Sequence, residues 1–201
     1  MFIQVIQGEV ADAAAMRAAA DQWARELAPG SYGWLGTTAG VTESGTLILL
    51  ARFASREQAR RNSDRPGQSA WWTETEKLFT GEIAFHDCDQ VETYLGGGSD
   101  LAGFVQIIQG RITDLGRLGA ILAASEEDLP RFRPDLLGSV AAITDAGFST
   151  EAAYFTSEAD AREGEGKTLP PELEASFKEY IGLFDGGPSF FDLREPWLYS
   201  R

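Results

Sequence analysis

Phe2-Ile3-Gln4-Val5-Ile6-Gln7-Gly8 returns later in the chain as Phe104-Val105-Gln106-Ile107-Ile108-Gln109-Gly110, and this repetition decides the fold. At the same spacing of 102, Leu35-Gly36 meets Leu137-Gly138, Thr42 meets Thr144, Gly45 meets Gly147, Phe53 meets Phe155 and Ala59-Arg60 meets Ala161-Arg162. About three positions in ten are identical up to residue 62. A three-residue insertion in the second copy changes the spacing to 105. Leu78-Phe79 then meets Leu183-Phe184, Phe85 meets Phe190 and Asp87 meets Asp192. A unit of roughly a hundred residues has been duplicated, and such a repeat has to be settled before any fold is read.

Each copy reads in the same element order. Phe2 to Val10 alternates and is rich in β-branched residues, which predicts a strand. Ala13 to Leu27 carries an apolar stripe at Met16, Ala20, Trp23 and Leu27, which predicts a helix; the second copy answers with Leu118, Leu122, Ser125 and Leu129. Leu35–Thr42 and Leu47–Phe53 flank a turn over Glu43-Ser44-Gly45 and make a hairpin, and Asp145-Ala146-Gly147 supplies the same turn. Ser55 and Ser157 are the expected N-caps of a second helix. That helix breaks at Arg65-Pro66-Gly67 and near Leu169-Pro170-Pro171, and a last strand follows over 82–91 or 189–193.

Strand, helix, strand, strand, helix, strand is the split βαβ order of a ferredoxin-like unit. The expected fold class is therefore α+β, with two ferredoxin-like (βαββαβ) units packed sheet to sheet as an intramolecular pseudo-dimeric α/β barrel. The expected boundaries are a first repeat over 1–95, a glycine-rich linker over 96–102 and a second repeat over 103–201. Residues after Val91 and after Leu193 keep alternating weakly, so each chain end is expected to extend onto the neighbouring sheet.

Composition narrows the function classes. The formal charge is -14, with 8 basic and 13 acidic side chains up to residue 98 and 9 and 18 beyond it, so neither half attracts phosphate backbones or anionic lipid. No nucleic-acid or membrane partner is expected. Twenty consecutive apolar residues occur nowhere, the single Cys88 cannot form an internal disulfide, and Gln4, Gln7 and Glu9 interrupt the start of the chain too early for a signal peptide. A cytoplasmic protein is the expectation. One His and one Cys are too few for a metal cage, and Gly96-Gly97-Gly98 lacks the lysine of a phosphate loop, so no metal and no cofactor are expected.

The element order, the opening strand and a second helix carrying Trp71-Trp72 just before the last strand resemble the dimeric α/β-barrel superfamily. Within it the resemblance is to antibiotic biosynthesis monooxygenase-like domains, here as a tandem duplicate. The resemblance implies a pocket between helices and sheet. It also implies either cofactor-independent oxygenation of a small apolar or aromatic metabolite or, as the alternative, a non-catalytic ligand-binding or interaction module with a degenerate pocket. The haem-degrading branch of the superfamily would place an Asn on the first strand and a Trp and a His on the second helix. This chain has Gln4 and Gln7 on that strand, and its only histidine, His86, falls on the last one.

Asn62, Arg65 and His86 are the candidate catalytic residues, and Gln4, Trp71 and Trp72 the candidate substrate-binding ones. A polar segment followed by paired indoles suits the roof of a pocket for a flat molecule, although Asp64-Arg65-Pro66-Gly67 is good turn chemistry and the structural reading of the segment is the favoured one. His86 is the only ready base near neutral pH, and on a strand it shares a side with Cys88 while Asp87 takes the other. Glu151 replaces Leu49 on a strand expected to be central. Exposure on a weakened strand is the favoured reading there, against a position beside a cavity. A small-molecule ligand is the expected partner, and further pairing of two fused chains stays open.

Overall fold

The computed structural model describes residues 1–201. In the first repeat β1 (Phe2–Glu9) leads to α1 (Ala13–Glu26), β2 (Trp34–Val41), β3 (Thr46–Phe53), α2 (Arg56–Ser63), α3 (Pro66–Thr75), β4 (Ala84–Cys88) and β5 (Gln90–Tyr94). The second repeats the order with β6 (Phe104–Arg111), α4 (Leu115–Ser125), α5 (Leu129–Phe132), β7 (Leu136–Ile143), β8 (Phe148–Phe155), α6 (Glu158–Glu165), α7 (Pro171–Gly182), β9 (Ser189–Leu193) and β10 (Trp197–Ser200). The chain is thus an α+β ferredoxin-like tandem with two five-stranded antiparallel sheets.

Local chemistry places the helix ends. Ser55 and Ser157 cap α2 and α6 by accepting from Gln58 N and Asp160 N, and Asp12 and Asp114 do the same for α1 and α4. Pro66 stands at the start of α3, where its missing N–H costs nothing, so the break between α2 and α3 is written into the sequence. No helix is long and apolar enough to cross a membrane.

The strand orders are β10-β2-β3-β1-β4 and β5-β7-β8-β6-β9. The last strand of each repeat is therefore an edge strand of the other sheet. Compact units follow that exchange: residues 1–90 with 195–201 form one, and 91–194 the other. The glycine run directly after β5 is a turn in which Gly97 N donates to Tyr94 O at 3.0 Å.

In the first sheet Ile3, Val5, Ile48 and Leu50 project from one face and are buried. The other face carries Gln4, Ile6, Leu49 and Ala51 toward the helices. In the second sheet Val105 and Ile107 correspond to the first set, and Gln106, Ile108, Glu151 and Ala153 to the second. Between helices and sheet each unit keeps a cavity.

Candidate functional site

The first unit's cavity has a volume of about 420 Å³ and is enclosed by α1, α2, α3 and the helix-side face of the sheet. Its wall is aromatic. Trp23 meets Trp71 with ring centroids 6.5 Å apart, Trp71 meets Trp72 at 6.1 Å, and Trp72 meets Phe85 at 5.5 Å with the rings nearly edge to face. The indole N–H of Trp71 donates to the backbone carbonyl of Ala19 at 3.0 Å, which ties α3 to α1 and fixes that ring.

Gln4 and Asn62 line this cavity beside the rings. Gln4 Nε2 donates to Asp87 Oδ1 at 3.0 Å, and Asp87 in turn takes Arg56 Nη1 at 2.9 Å. Asn62 is buried; its amide donates to Gln68 Oε1 at 3.3 Å, and the same oxygen accepts from the Trp23 indole at 2.6 Å. Each amide keeps a second N–H. Arg65 is placed differently: its guanidinium donates to Asn62 Oδ1 at 2.8 Å and to the Leu27 carbonyl at 3.1 Å, so it orients Asn62 and closes the end of α1 without lining the cavity.

His86 stands across the sheet from all of these. It pairs in register with Val5, whereas Phe85 pairs with Ile6 and turns into the cavity. Successive strand residues face opposite sides, so His86 as a base for this cavity is corrected by the pleat itself. Gln4, Asn62, Trp71 and Trp72 are brought together, Arg65 supports them, and His86 is separated.

Sequence reasoning missed the aromatics that the strand exchange delivers. Trp197 and Tyr199, on β10, line the first cavity, and Tyr199 Oη donates to Asp21 at 2.7 Å. Tyr94, on β5, lines the second cavity, with its hydroxyl on the Ser125 carbonyl at 3.0 Å. The signal was present: continuing the spacing of 105 pairs Tyr94 with Tyr199. Burial and then the charge of Glu126 raise the Tyr94 phenol to about 12; burial and then the hydrogen bond to Asp21 raise Tyr199 as well. Both hydroxyls remain donors near neutrality.

The second cavity is larger, about 650 Å³. Trp23, Trp71 and Trp72 of the first repeat correspond to Ser125, Ser176 and Phe177, which removes two indoles and trims a third. Glu151 is buried and lies on this cavity's wall, which corrects the expectation of an exposed carboxylate.

No family model matches the sequence, and a search of curated proteins found no match. Among solved structures, a Fusobacterium nucleatum protein described as a "putative monooxygenase" shares the fold over 100% of this chain and 94% of its own, with a TM-score of 0.77 and 9% identity. A Lactobacillus acidophilus protein of the same description matches over 98% of each chain at a TM-score of 0.71 and 11% identity. A protein described as anthrone oxidase-like matches over 99% of this chain and 90% of its own, at 0.64 and 12%. The chain's structural neighbours are thus monooxygenase-like ferredoxin-fold proteins, and whole-chain coverage by single chains fits a tandem duplicate.

Proposed function

We propose that the chain is a cofactor-independent, monooxygenase-like protein that holds a small apolar or aromatic metabolite in the cavity of its first unit. One observation carries the reading: four indoles, Trp23, Trp71, Trp72 and Trp197, and two oriented amides, Gln4 and Asn62, converge on one space of about 420 Å³. Trp71 and Trp72 would stack on a flat body, and the spare N–H groups of Gln4 and Asn62 would meet an oxygen at its edge. Neither a carboxylate nor an imidazole lines this cavity. The protein's own part would then be orientation, exclusion of water and hydrogen bonding to an electron-rich anion, such as a phenolate, that gives an electron to dioxygen.

The placement of His86 favours a second reading, a module that binds the same class of ligand without turning it over. Oxygen uptake by the metal-free protein with quinols and polyketide-like phenols separates the two. The enzyme reading expects uptake that falls at least about tenfold in Trp72→Ala and Asn62→Ala and stays unchanged in His86→Gln. Quenching of tryptophan fluorescence by the same phenols without uptake supports the module. Undiminished turnover in the Trp72 and Asn62 variants refutes the site.

A further inference from the structure

The two cavities share a scaffold and differ at a pair of touching positions. In the first, Leu49 on β3 and Thr75 on α3 both line the wall. The corresponding residues of the second are Glu151 and Tyr180, and Tyr180 Oη donates to Glu151 Oε2 at 2.7 Å. Glu151 is only 6% exposed and Tyr180 8%. Where the first cavity has a leucine and a threonine, the second has an acid and a phenol in hydrogen-bond contact. A buried carboxylate is costly unless paired, and one phenolic hydrogen bond offsets only part of that cost.

The cations on the same wall are committed elsewhere. Arg133 Nη2 pairs with Asp135 at 2.8 Å, Arg162 with Glu165 at 2.9 Å and with Asp192, and Lys167 approaches Glu163 at 3.9 Å. None of them neutralises Glu151. Around it the wall is apolar, with Ile108, Ile121, Leu122 and Ile181, while the half-exposed rings of Phe177 and Phe190 reach solvent. Burial and then the Glu151 charge hold the Tyr180 phenol well above its ordinary range, so it stays a donor and leaves the second carboxylate oxygen to other partners. Residues 91–194, the unit that holds the cavity, carry 18 acidic against 8 basic side chains, a balance that draws cations toward it.

We propose that the second cavity is a binding site for an amphipathic organic cation, in which a protonated amine pairs with Glu151 and an apolar or aromatic body fills the space beneath Phe177 and Phe190. The amine supplies the positive charge that the wall withholds. Aromatic faces from Phe177, Tyr180 and Phe190 add cation–π attraction on the way in. This site is separate from the first cavity and does not depend on the reading proposed for it.

The test is calorimetric titration of the full chain with 4-phenylbutylamine and, as its neutral counterpart, 4-phenyl-1-butanol. A charge-assisted bond predicts that the amine binds at least about tenfold more tightly than the alcohol. In Glu151→Gln that preference falls to within about twofold, and in Tyr180→Phe, which spares the carboxylate, it persists. Glu151→Leu reproduces the first repeat's residue and serves as a second variant with the same expected loss. All five tryptophans belong to the first unit, so amine binding is expected to leave their fluorescence unquenched. Equal affinity for amine and alcohol, a preference that survives in both Glu151 variants, or tryptophan quenching by the amine overturns the proposal.

Discussion

At the scale of single residues, two networks organise the first unit. Arg65, Asn62, Gln68 and Trp23 form a continuous run of hydrogen bonds from the end of α1 to the cavity wall. Asn62→Ala removes an acceptor from a guanidinium and a donor from Gln68, and is expected to cost about 1–3 kcal/mol, read from the denaturant midpoint. In the second network Arg56 on α2 binds Asp89 with bonds of 2.7 to 3.1 Å. The second repeat reverses the pair: Glu158 stands for Arg56, Arg194 for Asp89, and they meet at 3.0 Å. The contact is conserved within the chain while its polarity is not, which marks it as a clasp between helix and strand end. Arg56→Glu should lower the melting midpoint slightly, and adding Asp89→Arg should restore part of the loss, because Asp87 also gives up its bond to Arg56.

Tyr94, Tyr180 and Tyr199 also set a pH limit. Each phenol has a folded pKa raised above its ordinary value of 10.0, so the folded state holds these protons more tightly than the unfolded one. Their stabilisation is complete below pH 10 and is lost as pH rises from there through the folded values. Denaturant midpoints measured across the alkaline range should therefore fall from about pH 10 upward, and Tyr94→Phe should weaken that slope.

At the scale of elements, the duplicated Leu-Gly pair finds its explanation in the exchanged strands. Gly36 in β2 and Gly138 in β7 both have φ of +154° and sit where the register slips by one residue. A Cβ on Gly36 would stand 2.7 Å from the Tyr199 carbonyl oxygen, and one on Gly138 would stand 2.9 Å from that of Tyr94 and against that of Gly97. The glycine leaves room for the incoming strand's backbone. Gly138→Ala is expected to cost about 1–3 kcal/mol and to speed amide exchange over residues 90–94 before other strands.

At the scale of the whole molecule, each unit is completed by residues that follow the other repeat's elements in sequence. Trp197 is 5% exposed in the first unit although more than a hundred residues separate it from that unit's other strands, the last of which ends at Cys88. Trp197→Ala should cost roughly 3–5 kcal/mol by emptying a core position. The same substitution should raise amide exchange over residues 34–41 and weaken phenol binding in the first cavity.

Much of this was legible in sequence. Element order, the hairpin turns, the Ser55 and Ser157 caps and the break at Pro66 all rest on local periodicity and turn chemistry. Gln4, Asn62, Trp71 and Trp72 are candidates in the sequence only through the family resemblance, which implies a pocket between helices and sheet; that they line one cavity comes from the tertiary structure. The burial of Glu151 was not legible, since a carboxylate on a central strand reads as exposed until Tyr180, twenty-nine residues further on, is seen donating to it. His86 failed for the opposite reason: the alternation on β4 was visible, but which side held the cavity was not.

The sequence by itself determined the duplication, the βαββαβ order of each copy and the chemical inventory of each half, because these follow from periodicity, caps and composition along the chain. Only the tertiary structure decided which face of each sheet holds a cavity, which strand closes which unit, and that Glu151 and Tyr180 meet. Those are matters of long-range pairing, where residues far apart in the chain become neighbours and no local preference records the choice.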